Sequence, residues 1–186
     1  MIIDYDGVII HVNRGMIEAA LRLGNRRSAS MNHAETKNSI NMGFDTPLDR
    51  HFAGALGEIA WGRFTGFEVD KRTIGRGDGG TDFSGGIDIK TRVSWNRYRP
   101  NLLIPVKQWI REDRPKPNKY VLCWISKEEF EAGAIRTVRI VGWITAIDFD
   151  NKKVFRPKGN PFFVDTYEVT HTALNRDFSF VIFGGQ

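Results

Sequence analysis

Asp82, Asp88 and Lys90 stand in the run Thr-Asp-Phe-Ser-Gly-Gly-Ile-Asp-Ile-Lys, which ends at Lys90. Folded as a hairpin over Ser84-Gly85-Gly86, this run brings chemistry together. Glycine supplies the positive φ that a short hairpin loop requires. Phe83 then sits opposite Ile87, and Asp82 opposite Asp88. Strand side chains alternate, so Asp88 and Lys90 share one face while Ile87 and Ile89 turn to the core. Two carboxylates set against each other repel unless a cation lies between them. A hard dication such as Mg²⁺ takes oxygen ligands from carboxylates, water and phosphate. The bland alternative is a charged surface hairpin, because short acid-x-Lys patterns are common.

A third acid precedes the pair. Asp45 or Thr46 offers an N-cap, Pro47 suits a first helical turn, and Gly66 is a stop. Between them Leu48, Phe52, Ala55, Leu56, Ile59, Ala60 and Phe64 follow one helical face. Glu58 lies mid-helix among Gly54, Ala55, Gly57 and Ala60, small residues that let a strand or ligand approach. Phe67-Glu68-Val69-Asp70 is expected to begin a strand, and a glycine-rich link, residues 75–80, leads into the hairpin.

The flanks complete the outline. Residues 2–12 read as two strands about an Asp6-Gly7 turn. Asn13 caps a helix to about Leu23, with Met16, Ala19, Ala20 and Leu23 at helical spacing and Gly24 as its expected end. Residues 25–44 are polar and without a clear period, a loop or a second polar helix. Downstream, Pro105 is placed to start a short helix through Trp109 and Ile110. Residues 120–125 and 138–149 read as buried strands, and 162–164 and 178–183 as further strand candidates. The order predicts an α/β fold, a mixed central β-sheet flanked by helices. It is expected to be a single domain over residues 1–186, with the N-terminal hairpin, helix and polar loop in 1–44, the core in 45–150 and C-terminal strands in 151–186.

Glu58, Asp82 and Asp88-Ile89-Lys90, in this order, resemble the PD-(D/E)xK nuclease superfamily. The stretch Gly54 to Ala60, Gly-x-x-Gly-Glu-x-Ala, looks like its phage and restriction-type members. The resemblance spans residues 45–150, with Thr81 where the motif has proline and Asp88 where glutamate is commoner. It implies a restriction-endonuclease-like core and a Mg²⁺- or Mn²⁺-dependent phosphodiester hydrolase, a deoxyribonuclease and preferably an endonuclease. Asp82, Asp88 and the Ile89 carbonyl would ligate the metal, and Glu58 would complete its shell directly or through water. Lys90 would orient the attacking water and stabilise the transition state. Asp78, in the flexible glycine stretch, is a competing ligand; the hairpin register favours Asp82.

The charge distribution agrees with a polyanionic substrate. The chain carries net charge +5, and residues 91–119 hold eight basic side chains against two acidic ones. Arg92, Arg97, Arg99 and Lys107 are the expected phosphate contacts, and Trp95 and Tyr98 alternate with the arginines where bases could stack. A solvated basic face and packing under a loop are the plain alternatives. His51, seven residues before Glu58, is a possible phosphate contact. DNA is the expected partner, with RNA and a homodimer left open. Cys123 is the only cysteine, so an internal disulfide and a cysteine-rich zinc site are excluded; its apolar neighbours place it in the core. No apolar run has membrane-helix length and no secretion signal is recognisable, so a cytoplasmic location is expected.

Two rivals remain. Asp4-Tyr5-Asp6-Gly7-Val8 and residues 77–82 imitate motifs of haloacid-dehalogenase-type phosphatases. Polar Lys71-Arg72-Thr73 before the second motif and a glycine hairpin after it argue against that assignment. A non-catalytic basic nucleic-acid-binding or phage structural protein would explain the charge, but not the converging acids.

Overall fold

The computed structural model describes residues 2–4, 7–30, 47–69, 81–95, 100–110, 116–159 and 164–179. Strands β1 (Ile2–Asp4) and β2 (Gly7–His11) form the expected hairpin, with Ile3 against Val8. Helix α1 (Arg14–Ser30) follows, its first turn capped by Asn13, whose Oδ1 accepts from Met16 N–H at 3.0 Å. Gly24 does not end α1. It lies inside the helix where α2 (Pro47–Thr65) crosses, and a Cβ there would come within 2.9 Å of the Phe52 backbone nitrogen. The glycine is needed for close helix packing, and residues 25–30 are the last turns of α1. Helix α2 begins at Pro47 as expected and stops at Gly66, whose N–H returns to the Gly62 carbonyl at 2.8 Å.

Five strands build the main sheet in the order β1-β2-β6-β5-β3, from β3 (Ile87–Ser94), β5 (Lys119–Ser126) and β6 (Thr137–Thr145) with the first hairpin. The edge strand β3 runs parallel to β5, and the other pairs are antiparallel, so the sheet is mixed. Between β3 and β5 the chain makes β4 (Leu102–Pro105) and the short helix α3 (Val106–Trp109), close to the helix expected after Pro105. The short helix α4 (Lys127–Glu131) follows β5. A three-stranded sheet pairs β4 with β8 (Thr166–Val169) and β8 with β7 (Val154–Arg156).

Two apolar layers follow from the pleat. On one face Ile87, Ile89, Val93, Val121, Cys123 and Ile140 pack with α1 and α2. On the other, Tyr120, Leu122, Trp124 and Val141 pack with Leu102, Ile104, Trp109, Phe149 and Val169. The arrangement is mixed α/β, a mixed sheet flanked by helices.

Three expected strands take other forms. Residues 67–69 are irregular, and Phe67 and Val69 pack beside Gly62 of α2 instead of pairing. The strand expected over 138–149 ends at Thr145, whose Oγ1 accepts from Asp148 N–H at 3.0 Å and starts helix α5 (Ala146–Lys152); this Thr-x-x-Asp pattern is a capping signal. Phe178 is in no strand and is buried, its ring 5.5 Å from that of Phe64 and 6.2 Å from that of Trp61. Residues 162, 163 and 180–183 of the strand candidates lie outside the described residues. Among the described residues no helix is long and apolar enough to cross a membrane.

Candidate functional site

Across the Ser84-Gly85-Gly86 turn Phe83 bridges Ile87 as predicted, but Asp82 is not set opposite Asp88. Gly85 and Gly86 both take positive φ, 79° and 72°. The turn is tied to the start of β5: Asn118 N–H donates to the Gly86 carbonyl at 2.6 Å, and Asn118 Nδ2 to that of Gly85 at 3.1 Å. Pairing stops at the single bridge, so Thr81-Asp82-Phe83 forms no strand. Asp82 and Phe83 N–H both donate to the Ile87 carbonyl, at 2.9 and 3.1 Å. This shared acceptor turns Asp82 out of the ladder.

Asp82 closes over the edge of β3, where its Oδ2 accepts from Ile89 N–H at 2.6 Å. In an extended strand the N–H and C=O of one residue point the same way. The Ile89 carbonyl therefore faces the same edge as Asp82. One residue to either side, Asp88 and Lys90 project from the opposite face to Ile89, and Lys90 Nζ lies 2.7 Å from Asp88 Oδ2. Tyr120 on β5 is the register partner of Asp88. Burial, and then the charge of Asp88, push the Tyr120 hydroxyl well above the ordinary tyrosine range.

Glu58 reaches the region from the helix side of the sheet. Gly57 makes this possible, because a Cβ at that position would strike Thr91 Oγ1 on β3. Glu58 meets Arg27 of α1 through two parallel contacts, Nη1 to Oε1 at 2.5 Å and Nη2 to Oε2 at 2.8 Å. Cys123 lies behind, its Sγ 3.8 Å from the Gly57 carbonyl. Burial raises the Cys123 pKa, and the charges of Glu58 and Asp82 raise it further. A thiol held neutral in this way is no nucleophile and no thiolate ligand.

Glu58, Asp82 and Asp88 are 4%, 3% and 5% exposed. Burying a carboxylate without compensation costs several kcal/mol. Here each has a donor: a guanidinium, a backbone N–H and an ammonium respectively.

Comparison with protein-family models, curated proteins and solved structures gives no match for this chain.

The donor chemistry of Asp82, Asp88, the Ile89 carbonyl and Glu58 is all hard oxygen, which suits Mg²⁺ or Mn²⁺. Among the described residues, no three His, Cys, Asp or Glu side chains are grouped closely enough to hold a metal ion. Two of the carboxylates instead meet cations of the chain itself.

The expected substrate contacts divide. Arg92 is half-buried beneath the small sheet, with Nη1 3.4 Å from the Asn101 carbonyl. Burial lowers its pKa, and Glu168 acts in the opposite sense. Lys107 is exposed on α3, and Trp95 is 65% exposed just beyond β3, with Lys127 Nζ 5.6 Å from its ring centre. Five residues of strand separate Trp95 from Lys90, roughly 16 Å. His51 is half-buried, its Nε2 has no hydrogen-bond partner among the described residues, and burial, then the charges of Arg50 and Arg27, lower its pKa. Asp78, Arg97, Tyr98 and Arg99 lie outside the described residues.

Sequence reasoning overlooked Arg27, Tyr120 and Thr91. Arg27 had a signal: Ala20, Leu23 and Arg27 share one face of α1 once the helix continues through Gly24. Tyr120 and Thr91 had none, because their neighbours depend on strand pairing.

Proposed function

We propose that this protein is a metal-dependent nuclease that hydrolyses phosphodiester bonds in DNA, acting as an endonuclease on a PD-(D/E)xK, restriction-endonuclease-like core. One observation carries the reading. Asp82 is anchored on the N–H of Ile89, between Asp88 and Lys90 on the same strand, with the Ile89 carbonyl facing the same edge. The order of elements supports it: a helix bearing Glu58, the hairpin, the edge strand β3, and a crossover to the parallel strand β5.

Asp82, Asp88 and the Ile89 carbonyl would hold Mg²⁺ or Mn²⁺, and Glu58, which pairs with Arg27 on the helix side of the sheet, would reach the ion through water. Bound there, the ion would supply charge neutralisation at the phosphate and a more acidic water. The chain's own groups supply orientation. Ile89 N–H fixes one oxygen of Asp82. Asp88 holds the Lys90 ammonium at the site, and a three-donor ammonium can contact a carboxylate and a phosphate oxygen together. Lysine suits this position because its charge is compact and its stem flexible. Exposed Lys107 and Trp95 extend the surface on which a strand could lie.

The test is cleavage of supercoiled plasmid in Mg²⁺. We expect nicking that EDTA abolishes, and losses of about 100-fold or more in Asp88→Asn and Lys90→Ala. Cutting that survives EDTA, or persists in both variants, would refute the mechanism. A non-catalytic nucleic-acid-binding protein is the second reading, favoured by the pairing of Glu58 and Asp88 with Arg27 and Lys90. It predicts DNA binding with no cutting under any metal. The phosphatase reading finds no support, since Asp4 lies on an edge strand in an antiparallel hairpin.

A further inference from the structure

Residues 152–158 read Lys-Lys-Val-Phe-Arg-Pro-Lys, four basic side chains and no acid. They run from the end of α5 through β7 and just beyond it. In the order β4-β8-β7, strand β7 is an edge of the small sheet. Lysine and proline on an edge strand often serve only to prevent pairing with other chains. That account covers Pro157 and Lys158 but fails at Val154 and Phe155. These apolar side chains are 49% and 52% exposed, and a protected edge leaves such groups out. The Phe155 ring is also held in place. It meets the ring of Tyr167, its register partner, edge-on with centres 6.1 Å apart.

Cations gather around this ring. Lys153 Nζ lies 5.0 Å from the Tyr167 ring centre and 5.2 Å from that of Trp109, and Lys116 Nζ lies 4.2 Å from the Trp109 centre. Lys116 thus joins the group from a distant part of the chain. Lys153 pairs with Asp150, and Arg156 with Glu168. Lys116, Lys152 and Lys158 are exposed. Trp109 also lies beside Tyr120, ring centres 6.2 Å apart, and Tyr120 is the register partner of Asp88. The patch is therefore on the side of the main sheet from which Asp88 and Lys90 project.

We propose that β7 and its flanks form a binding surface for single-stranded DNA, with Lys116, Lys152 and Lys158 on phosphates and Phe155 stacked on a base. Spaced cations follow a phosphate backbone, and a half-exposed ring takes the face of an unpaired base. The choice of DNA rests on the nuclease reading above. The surface itself uses none of the acids of that site.

The experiment measures binding of a fluorescein-labelled thymidine homopolymer by anisotropy, in EDTA to prevent cutting. The charge variant Lys152→Glu, Lys158→Glu should bind about tenfold or more weakly, with a salt slope shallower by about 1.4 for two lost phosphate contacts. Phe155→Leu should bind about fivefold or more weakly at an unchanged salt slope, and Phe155→Trp should bind like wild type. Arg22→Glu, Arg26→Glu makes the same change of net charge at exposed positions of α1, which packs on the other face of the main sheet. It should alter affinity by about twofold or less. Thermal unfolding checks each variant, and if Phe155→Leu does not fold, the exposed lysine pair decides by itself. Strong wild-type binding that is unchanged in the charge and Phe155 variants, or equally weakened by the α1 control, overturns this proposal and leaves the nuclease reading standing. Loss of sedimentation with phosphatidylserine–phosphatidylcholine vesicles in the charge variant, with oligonucleotide binding intact, overturns it in favour of a membrane surface. The expected losses in a protein that never nicks plasmid would support the surface and refute the nuclease reading alone.

Discussion

At His51, burial first, and then the charges of Arg50 and Arg27, lower the imidazole pKa from 6.5 to about 4. Between those values the unfolded chain binds a proton that the folded chain refuses. The contribution is present above pH 6.5 and is lost as pH falls through 4. Discounted for partial exposure, it amounts to about 1 kcal/mol. We therefore expect wild type to lose about 1 kcal/mol more stability than His51→Gln between pH 7 and pH 4.5, read from urea midpoints. Equal losses would show that the imidazole does not titrate as its surroundings require. The type of this residue and its helix were legible in sequence. Its neighbour Arg27, on another helix, was not.

Helix and strand meet where Gly57 of α2 rides over Thr91 and Cys123. Adding one methyl group there forces α2 off β3 and moves Glu58 with it. Gly57→Ala should cost about 2 kcal/mol by denaturant unfolding. Thr91→Ala in that background should restore part of the loss, because it removes the atom the new Cβ would strike. A fully stable single variant would mean that the helix yields more easily than this packing implies. The start and end of α2 were readable at Pro47 and Gly66 because those signals act within a turn. Gly24 misled for a related reason: glycine ends helices, yet it also lets two helices approach, and only the crossing of α1 and α2 shows which role it has.

Across the whole molecule, the small sheet of β4, β8 and β7 bears on the described basic residues of segment 91–119. Arg92 goes beneath it, near Asn101 and Glu168. Lys116 stays exposed with its Nζ 4.2 Å from the ring centre of Trp109, and half-buried Lys119 has its Nζ 5.8 Å from that of Trp143. Lys107 and Trp95 remain outward. Charge counted along the chain is thus divided between packing and surface. Trp95→Ala, placed in the Asp88→Asn background to prevent cutting, should weaken binding of a labelled single-stranded oligonucleotide about fivefold or more. Its stability should stay within about 0.5 kcal/mol of the parent. Arg92→Ala should instead lower stability and leave the salt dependence of binding unchanged. Fluorescence anisotropy and thermal unfolding measure the two effects, and an unchanged affinity in the Trp95 variant would remove it from the surface.

What the amino-acid sequence determined by itself was local. The Ser84-Gly85-Gly86 turn set Phe83 against Ile87 and put Asp88 and Lys90 on one face, because backbone conformation and side-chain alternation act over a few residues. The same reach explains why the β1–β2 hairpin and the buried β5 strand were legible. Tertiary structure decided which partner each charged group meets. Arg27 reaches Glu58 across 31 positions, and Asn101 meets Glu168 across 67. Tyr120 comes beside Asp88 only through parallel pairing. Such contacts arise when layers close and water leaves, so a buried charge takes the nearest donor in space, whatever its place in the chain.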